Sequence, residues 1–177
     1  PTAVNLFWAI DEVKKTFEDN IDSENIYDIV LNLAKDSHKK DEEYCRKMGL
    51  NGLSIFKGKS NVLTHCNTGK LATGGDGTAF SVIKTAFENS LVNHVYADET
   101  RPLLQGSRLT AFELDKAGIP FSINPDSSAA VLLREKKIDV IQLEGLYLSP
   151  YIDLIRENSD ALVSMRAHNI EHEIWER

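Results

Sequence analysis

Cysteine is scarce in this chain: 2 of 177 residues, Cys45 and Cys66. That excludes a small disulfide-stapled scaffold. Cys45 lies in a charged helical segment and Cys66 at a strand end, and both read as free thiols. No apolar run approaches the roughly 20 residues that span a bilayer. No basic start leads into an apolar stretch, so no signal peptide is expected. Positive charge is in deficit too, with 20 Lys and Arg against 27 Asp and Glu. The net charge of -7 and the pI near 5.2 argue against nucleic acid or an anionic membrane as partner. A cytoplasmic location is expected. The first residue is Pro1 rather than methionine, which reads as a processed chain or a fragment. Internal repeats, low-complexity runs and long linkers are absent.

What is present is an ordinary globular profile, 42% hydrophobic and 27% charged. A chain of this size buries around 70% of its unfolded surface, enough for a core. Residues 1–50 read as a helical lead-in. Val4, Leu6, Phe7, Ile10, Val13 and Phe17 follow the spacing of an apolar helical stripe. Asn20 to Ser23 is a break, with Ser23 as the expected cap of a second helix. That helix carries Ile26, Ile29, Val30, Leu33 and Ala34, then a charged run from Lys35 to Lys47 that reads as a solvated face. Gly49 and Gly52 are its expected end.

From residue 51 to 177 the period changes. Short strands are expected at 62–64, 95–97, 119–123, 140–143 and 161–165. Helical segments lie at about 77–90, 104–117, 127–137 and 150–158. Strands alternating with helices predict an α/β fold, a Rossmann-like parallel sheet with flanking helices.

The segment Leu63-Thr64-His65-Cys66-Asn67-Thr68-Gly69 carries most of the chemical information. An apolar strand ends in a lone cysteine before a glycine-rich turn, and the carboxyl ends of parallel strands are where ligands bind. Cys66 has two readings, a small buried hydrophobe or a working thiol whose pKa is set by neighbours. His65 and the helix start near Gly77 are candidate neighbours. Gly74-Gly75-Asp76-Gly77 lacks the spacing of a phosphate loop, and it reads either as a tight connection or as a phosphate contact. Asp98 and Glu99 with Arg101 are a site cluster or, as preferred, a structural ion pair. His168 and His172, four residues apart with Glu171 nearby, could share a helix face, a weak metal set because no third ligand is in evidence.

Longer runs carry a resemblance. Pro1-Thr2-Ala3-Val4-Asn5-Leu6, Leu63 to Thr73, Val95 to Gly106 and Arg108-Leu109-Thr110 resemble the 5-methylthioribose-1-phosphate isomerases. Their wider family also holds the translation initiation factor 2B α, β and δ subunits. The likeness covers residues 1 to about 140. It implies an aldose–ketose isomerase of methionine salvage acting on a small sugar phosphate, with Cys66 as catalytic residue and Gln105 holding sugar hydroxyls. No cofactor and no metal are implied, and a homodimer is the expected assembly. The family's aspartate falls at Leu146, with Glu144 two residues before it, and its phosphate-binding arginines would precede Pro1. Little or no isomerase activity is therefore expected of this chain alone. From about residue 141 the tail, including Arg166 to His172, looks like the N-terminal domain of a bacterial glycosyltransferase. That likeness implies a spliced chain whose join falls inside one strand. The rival expectations are a non-catalytic scaffold, with Phe7, Trp8 and the charged second helix as contacts, or a constructed hybrid.

Overall fold

The computed structural model describes residues 4–144 and 149–166. Five strands follow the helical start: β1 (Ser60–Thr64), β2 (Val92–Asp98), β3 (Phe121–Asn124), β4 (Val140–Glu144) and β5 (Leu162–Arg166). All pair in parallel, in the order β3-β2-β1-β4-β5. The helices are α1 (Val4–Asp19), α2 (Ile26–Gly52), α3 (Ala79–Glu88), α4 (Ala111–Lys116), α5 (Ala129–Arg134) and α6 (Tyr151–Asn158). All five expected strands form, and the sheet is the parallel α/β arrangement that the strand–helix alternation predicts.

Alternation along each strand builds two cores. Val62, Val95, Ala97 and Val140 face one side, where they meet Phe80 and Ile83 of α3 and Leu114 of α4. Leu63, Tyr96 and Ile141 face the other, against Leu132 and Leu133 of α5 and Ile152 and Ile155 of α6. Covered on both faces, the strands read as apolar runs rather than as a half-wet alternation. The sheet passes without interruption through β4, which pairs with β1 and with β5. The sheet is thus continuous across residue 141.

The lead-in departs from expectation in three places. Ser23 does not cap α2, because its hydroxyl lies 2.5 Å from Asn25 Oδ1 and Asn25 takes the cap position without a side-chain bond. Gly49 does not end α2, which runs on to Gly52. Gly52 ends the helix as expected, and both glycines also serve close packing: a Cβ on Gly49 would meet Thr85 Oγ1 at 2.4 Å, and one on Gly52 would meet Val82 at 2.6 Å. The charged run is solvated on one side only. Arg46 pairs with Glu43 in solvent, whereas Cys45 is buried and its carbonyl accepts the Ser81 hydroxyl of α3 at 2.8 Å.

Candidate functional site

The strand order places the reversal of direction between β1 and β4. From β1 the chain moves one way to β2 and β3, then crosses back to β4 and β5. In open parallel sheets the crevice outside the carboxyl ends at that reversal is where ligands bind. Cys66 follows β1 directly and Glu144 ends β4, so both lie on this edge. Leu146, His168, Glu171 and His172 lie outside the described residues, as do all residues after Arg166.

Cys66 is a half-buried free thiol with φ +64. The left-handed conformation costs a non-glycine residue on the order of 1–2 kcal/mol. Thr100 at +64 and Leu104 at +59 share it. Such conformations persist where surrounding contacts over-determine them, and they gather at functional sites. Here the contacts come from the loop after β2. The Cys66 N–H donates to Thr100 Oγ1 at 2.8 Å, and Thr110 Oγ1 donates to the Cys66 carbonyl at 2.5 Å. Gln105 stands between these two threonines in the chain and begins a π-helical turn over Gly106–Thr110 that leads into α4. Local π geometry is frequent at functional sites. The Gln105 Oε1 is buried and unpartnered.

His65 turns away from the role expected of it. Its Nδ1 lies 3.2 Å from Asp98 Oδ2 and 4.0 Å from Asp126 Oδ1. The hydrogen bond to Asp98 lifts the imidazole above its ordinary value, with the carboxylate charges adding to the effect. Burial raises the Asp98 carboxyl, and the contact with His65 lowers it in part. Asp126 is raised by burial but ends below its usual range, because it accepts the N–H groups of Arg101 and Thr100 at 2.7 and 2.8 Å. One ligand atom from each of His65, Asp98 and Asp126 falls within 4.8 Å of the others. Asp126 already serves two backbone amides, which favours a hydrogen-bonded brace over a cation site. Arg101 pairs with Glu99 at 2.7 Å, the structural ion pair preferred from the sequence, while Asp98 stands apart from it.

The glycine turn resolves toward its connecting role. Gly74 N–H donates to Asp41 Oδ2 of α2 at 2.5 Å, and Gly77, at φ +89, donates to Thr73 Oγ1 at 3.0 Å. The start of α3 is engaged too, since the N–H groups of Thr78 and Phe80 both donate to the Thr68 carbonyl. Glu113 of α4 braces the same loop by accepting the Lys70 N–H at 2.9 Å. Among the described residues, the buried side-chain polar atoms without a partner are Thr68 Oγ1, Asp98 Oδ1, Gln105 Oε1, Glu113 Oε1 and Asn124 Nδ2. Asn124 is the register partner of Asp98. Native proteins rarely leave such groups unpaired without reason. The hollow of about 580 Å³ bounded by Lys59, Asp139, Arg156 and Leu162 lies instead at the amino ends of β1, β4 and β5.

The structure sets Cys66 and Gln105, the two residues singled out in the sequence, on neighbouring segments that follow β1 and β2. The threonines, Asp126 and Glu113 were not read as site residues. Their one sequence signal is that Thr100 and Thr110 sit inside the runs that carry the resemblance.

Comparison with known proteins agrees with this geometry. The chain is 48% identical over 143 residues to methylthioribose-1-phosphate isomerase from Caldicellulosiruptor saccharolyticus, covering 80% of this chain and 42% of that protein. The enzyme of the same name from Pseudomonas aeruginosa PAO1 is 46% identical over 142 residues, covering 78% and 40%. The chain thus spans about two fifths of the length of the curated relatives it matches. In structure it is similar to 5-methylthioribose 1-phosphate isomerase from Pyrococcus horikoshii, with a TM-score of 0.80 and 29% identity, covering 96% of this chain and 53% of that one. It is also similar to the delta subunit of translation initiation factor eIF-2B from A. fulgidus, at 0.77 and 27%, covering 98% and 56%. These structural matches extend over the tail, which the sequence matches leave out. The sequence model of the initiation factor 2 subunit family matches residues 1–143, and the chain belongs to that family.

Proposed function

We propose that this chain carries the thiol side of an aldose–ketose isomerase site for 5-methylthioribose-1-phosphate. The observation that carries the reading is Cys66, held in a left-handed conformation at the carboxyl end of the middle strand, beside the reversal of strand order. Relatives named for that reaction, 46–48% identical over four fifths of the chain, support it.

The substrate's anomeric oxygen carries the phosphate, so its ring does not open freely. Isomerisation breaks the bond from the anomeric carbon to the ring oxygen. It also moves a hydrogen from the neighbouring carbon to the anomeric carbon; the ring oxygen takes up a proton as it leaves, and the neighbouring carbinol loses its hydroxyl proton to become the ketone. Cys66 is read as the group that handles the proton or stabilises the developing charge. Gln105 offers an amide that donates to and accepts from sugar hydroxyls. Leu146, where the family has its aspartate, supplies no titratable group, and losing one acid or base lowers a rate by about 10² to 10⁴. We therefore expect weak turnover. Among the described residues no helix is long and apolar enough to cross a membrane, and the free thiols favour the cytoplasm.

The test is turnover of 5-methylthioribose-1-phosphate by the purified chain beside Cys66→Ser. Slow turnover that vanishes in the variant is the expected result. No turnover from folded protein, or equal turnover in both, would overturn the reading.

A second reading has its own observation. Leu6, Phe7, Trp8, Ile10, Val13 and Phe17 of α1 are all exposed, as suits a chain that works as an assembly module or homodimer. Sedimentation over a range of concentrations checks it: a dimer without ligand response favours assembly, a monomer that turns over substrate the enzyme.

A further inference from the structure

The backbone of Cys66 is gripped on both sides by buried hydroxyls. Thr100 Oγ1 accepts its N–H at 2.8 Å and donates onward to the Asp98 carbonyl at 3.2 Å, so both functions of that hydroxyl are assigned. Thr110 Oγ1 donates to the Cys66 carbonyl at 2.5 Å, and Thr110 is 1% exposed. Thr100 is fixed in turn by Asp126 through its own N–H, at 2.8 Å. Gly106 admits the turn that carries Thr110. A Cβ there would fall 1.7 Å from the Asp98 carbonyl oxygen, so no other residue lets that turn lie against the end of β2.

At φ +64 Cys66 is not in a conformation it would choose alone. Without the two bonds its backbone would relax, and the Cα–Cβ bond would swing the thiol with it. We propose that Thr100 and Thr110 are positioning residues for Cys66, two buried hydroxyls that fix the direction in which the thiol leaves the end of β1. The inference rests on the reading of Cys66 as the working group of the isomerase site. It adds a reason for that reading, because a cysteine that merely filled space would need no such grip on its backbone.

Thr100→Val and Thr110→Val keep the shape and remove the hydroxyls. Two readouts apply to the whole chain: hydrogen exchange at the Cys66 amide, and the rate profile of Cys66 alkylation by iodoacetamide at fixed pH. Cys45, 1% exposed, serves as the unreactive internal control. Thr100→Val is expected to speed the Cys66 amide about tenfold, the equivalent of one hydrogen bond. Both variants are expected to change the rate of Cys66 alkylation at fixed pH by about threefold or more. Thr100→Ser and Thr110→Ser, which retain the hydroxyl, should return to the native values. A folded Thr100→Val with native exchange and a native alkylation profile overturns the proposal. If Thr100→Val does not fold, Thr110→Val decides by its alkylation profile. Neither readout needs substrate, so an inactive native chain removes the isomerase reading while the clamp result stands by itself.

Discussion

The pair α1–α2 and the parallel sheet both carry apolar residues at regular spacing, but they hide them very differently. In the sheet, successive residues of one strand enter opposite cores, each roofed by helices. In the lead-in, none of residues 6–44 is buried, and the first buried side chain is Cys45, where α2 meets α3. The cause is topological. A central strand has a neighbour on each edge and a helix layer on each face, so every side chain finds cover within the chain. Among the described residues α2 is the main neighbour of α1, and the stripe of α1 is largely exposed. Periodicity reports which face of a helix is apolar. It does not report what covers that face.

The contrast is broken most directly by truncating its most buried residue. Leu114 of α4 is fully buried against the sheet. Leu114→Ala is expected to cost about 2–5 kcal/mol, through lost transfer energy and the cavity left behind. Urea denaturation measures it, and a cost below about 1 kcal/mol would mean that the core collapses around the gap. The joint between the two regions comes next. Gly49→Val would push a side chain into Thr85 Oγ1 and the Ser81 hydroxyl and carbonyl, and overpacking of this kind costs about 1–3 kcal/mol. The variant should also separate α2 from α3, read as faster hydrogen exchange along residues 45–52 while β1 and β2 keep native protection.

That joint shows where sequence reading succeeds and where it stops. The strands were legible because Val62-Leu63, Val95 to Ala97 and Val140-Ile141 are short apolar runs between glycine, proline and polar turns. Cys66 and Gln105 were legible through strand-end position and resemblance. Gly52 does end α2, but Gly49 was misread as part of that end, because a glycine that stops a helix and one that lets a second helix approach look alike until the partner is known. Thr100 and Thr110 escaped notice for a related reason. Hydroxyl-to-backbone bonds across 34 and 44 residues leave no periodic trace. His65 was read as a candidate neighbour of Cys66 from adjacency, and what the structure shows for its ring is the pairing with Asp98 across 33 residues.

The site edge gives a smaller, pH-dependent effect. Hydrogen bonding to Asp98 raises His65 in the folded chain, so its stabilising contribution is complete below the unfolded value of about 6.5. It is lost as pH rises through the folded value. NMR titration of the His65 ring should give a midpoint above that of an unstructured histidine. Asp98→Asn should bring it back toward the ordinary value, with Asp126 alone holding a residue of the shift. An unshifted midpoint in the native chain would remove the brace on that side of Cys66.

The smallest effect belongs to the uncovered stripe, and it sharpens the comparison. Phe17 of α1 is 47% exposed. In an isolated chain Phe17→Ser forfeits little burial, and exposed substitutions of this kind stay within about 0.5 kcal/mol. The same change at a covered face would remove most of the contribution of an aromatic side chain, roughly 1.5–3 kcal/mol. Denaturation of native and Phe17→Ser chains at low and high protein concentration separates the two cases. A small difference at both concentrations shows that the stripe stands free in this chain. A difference that grows with concentration shows that a second copy covers it, since only association makes the stability of one chain depend on the amount of the other. The sheet, whose side chains are roofed from within, should show no such dependence when Leu114 is truncated in the same series.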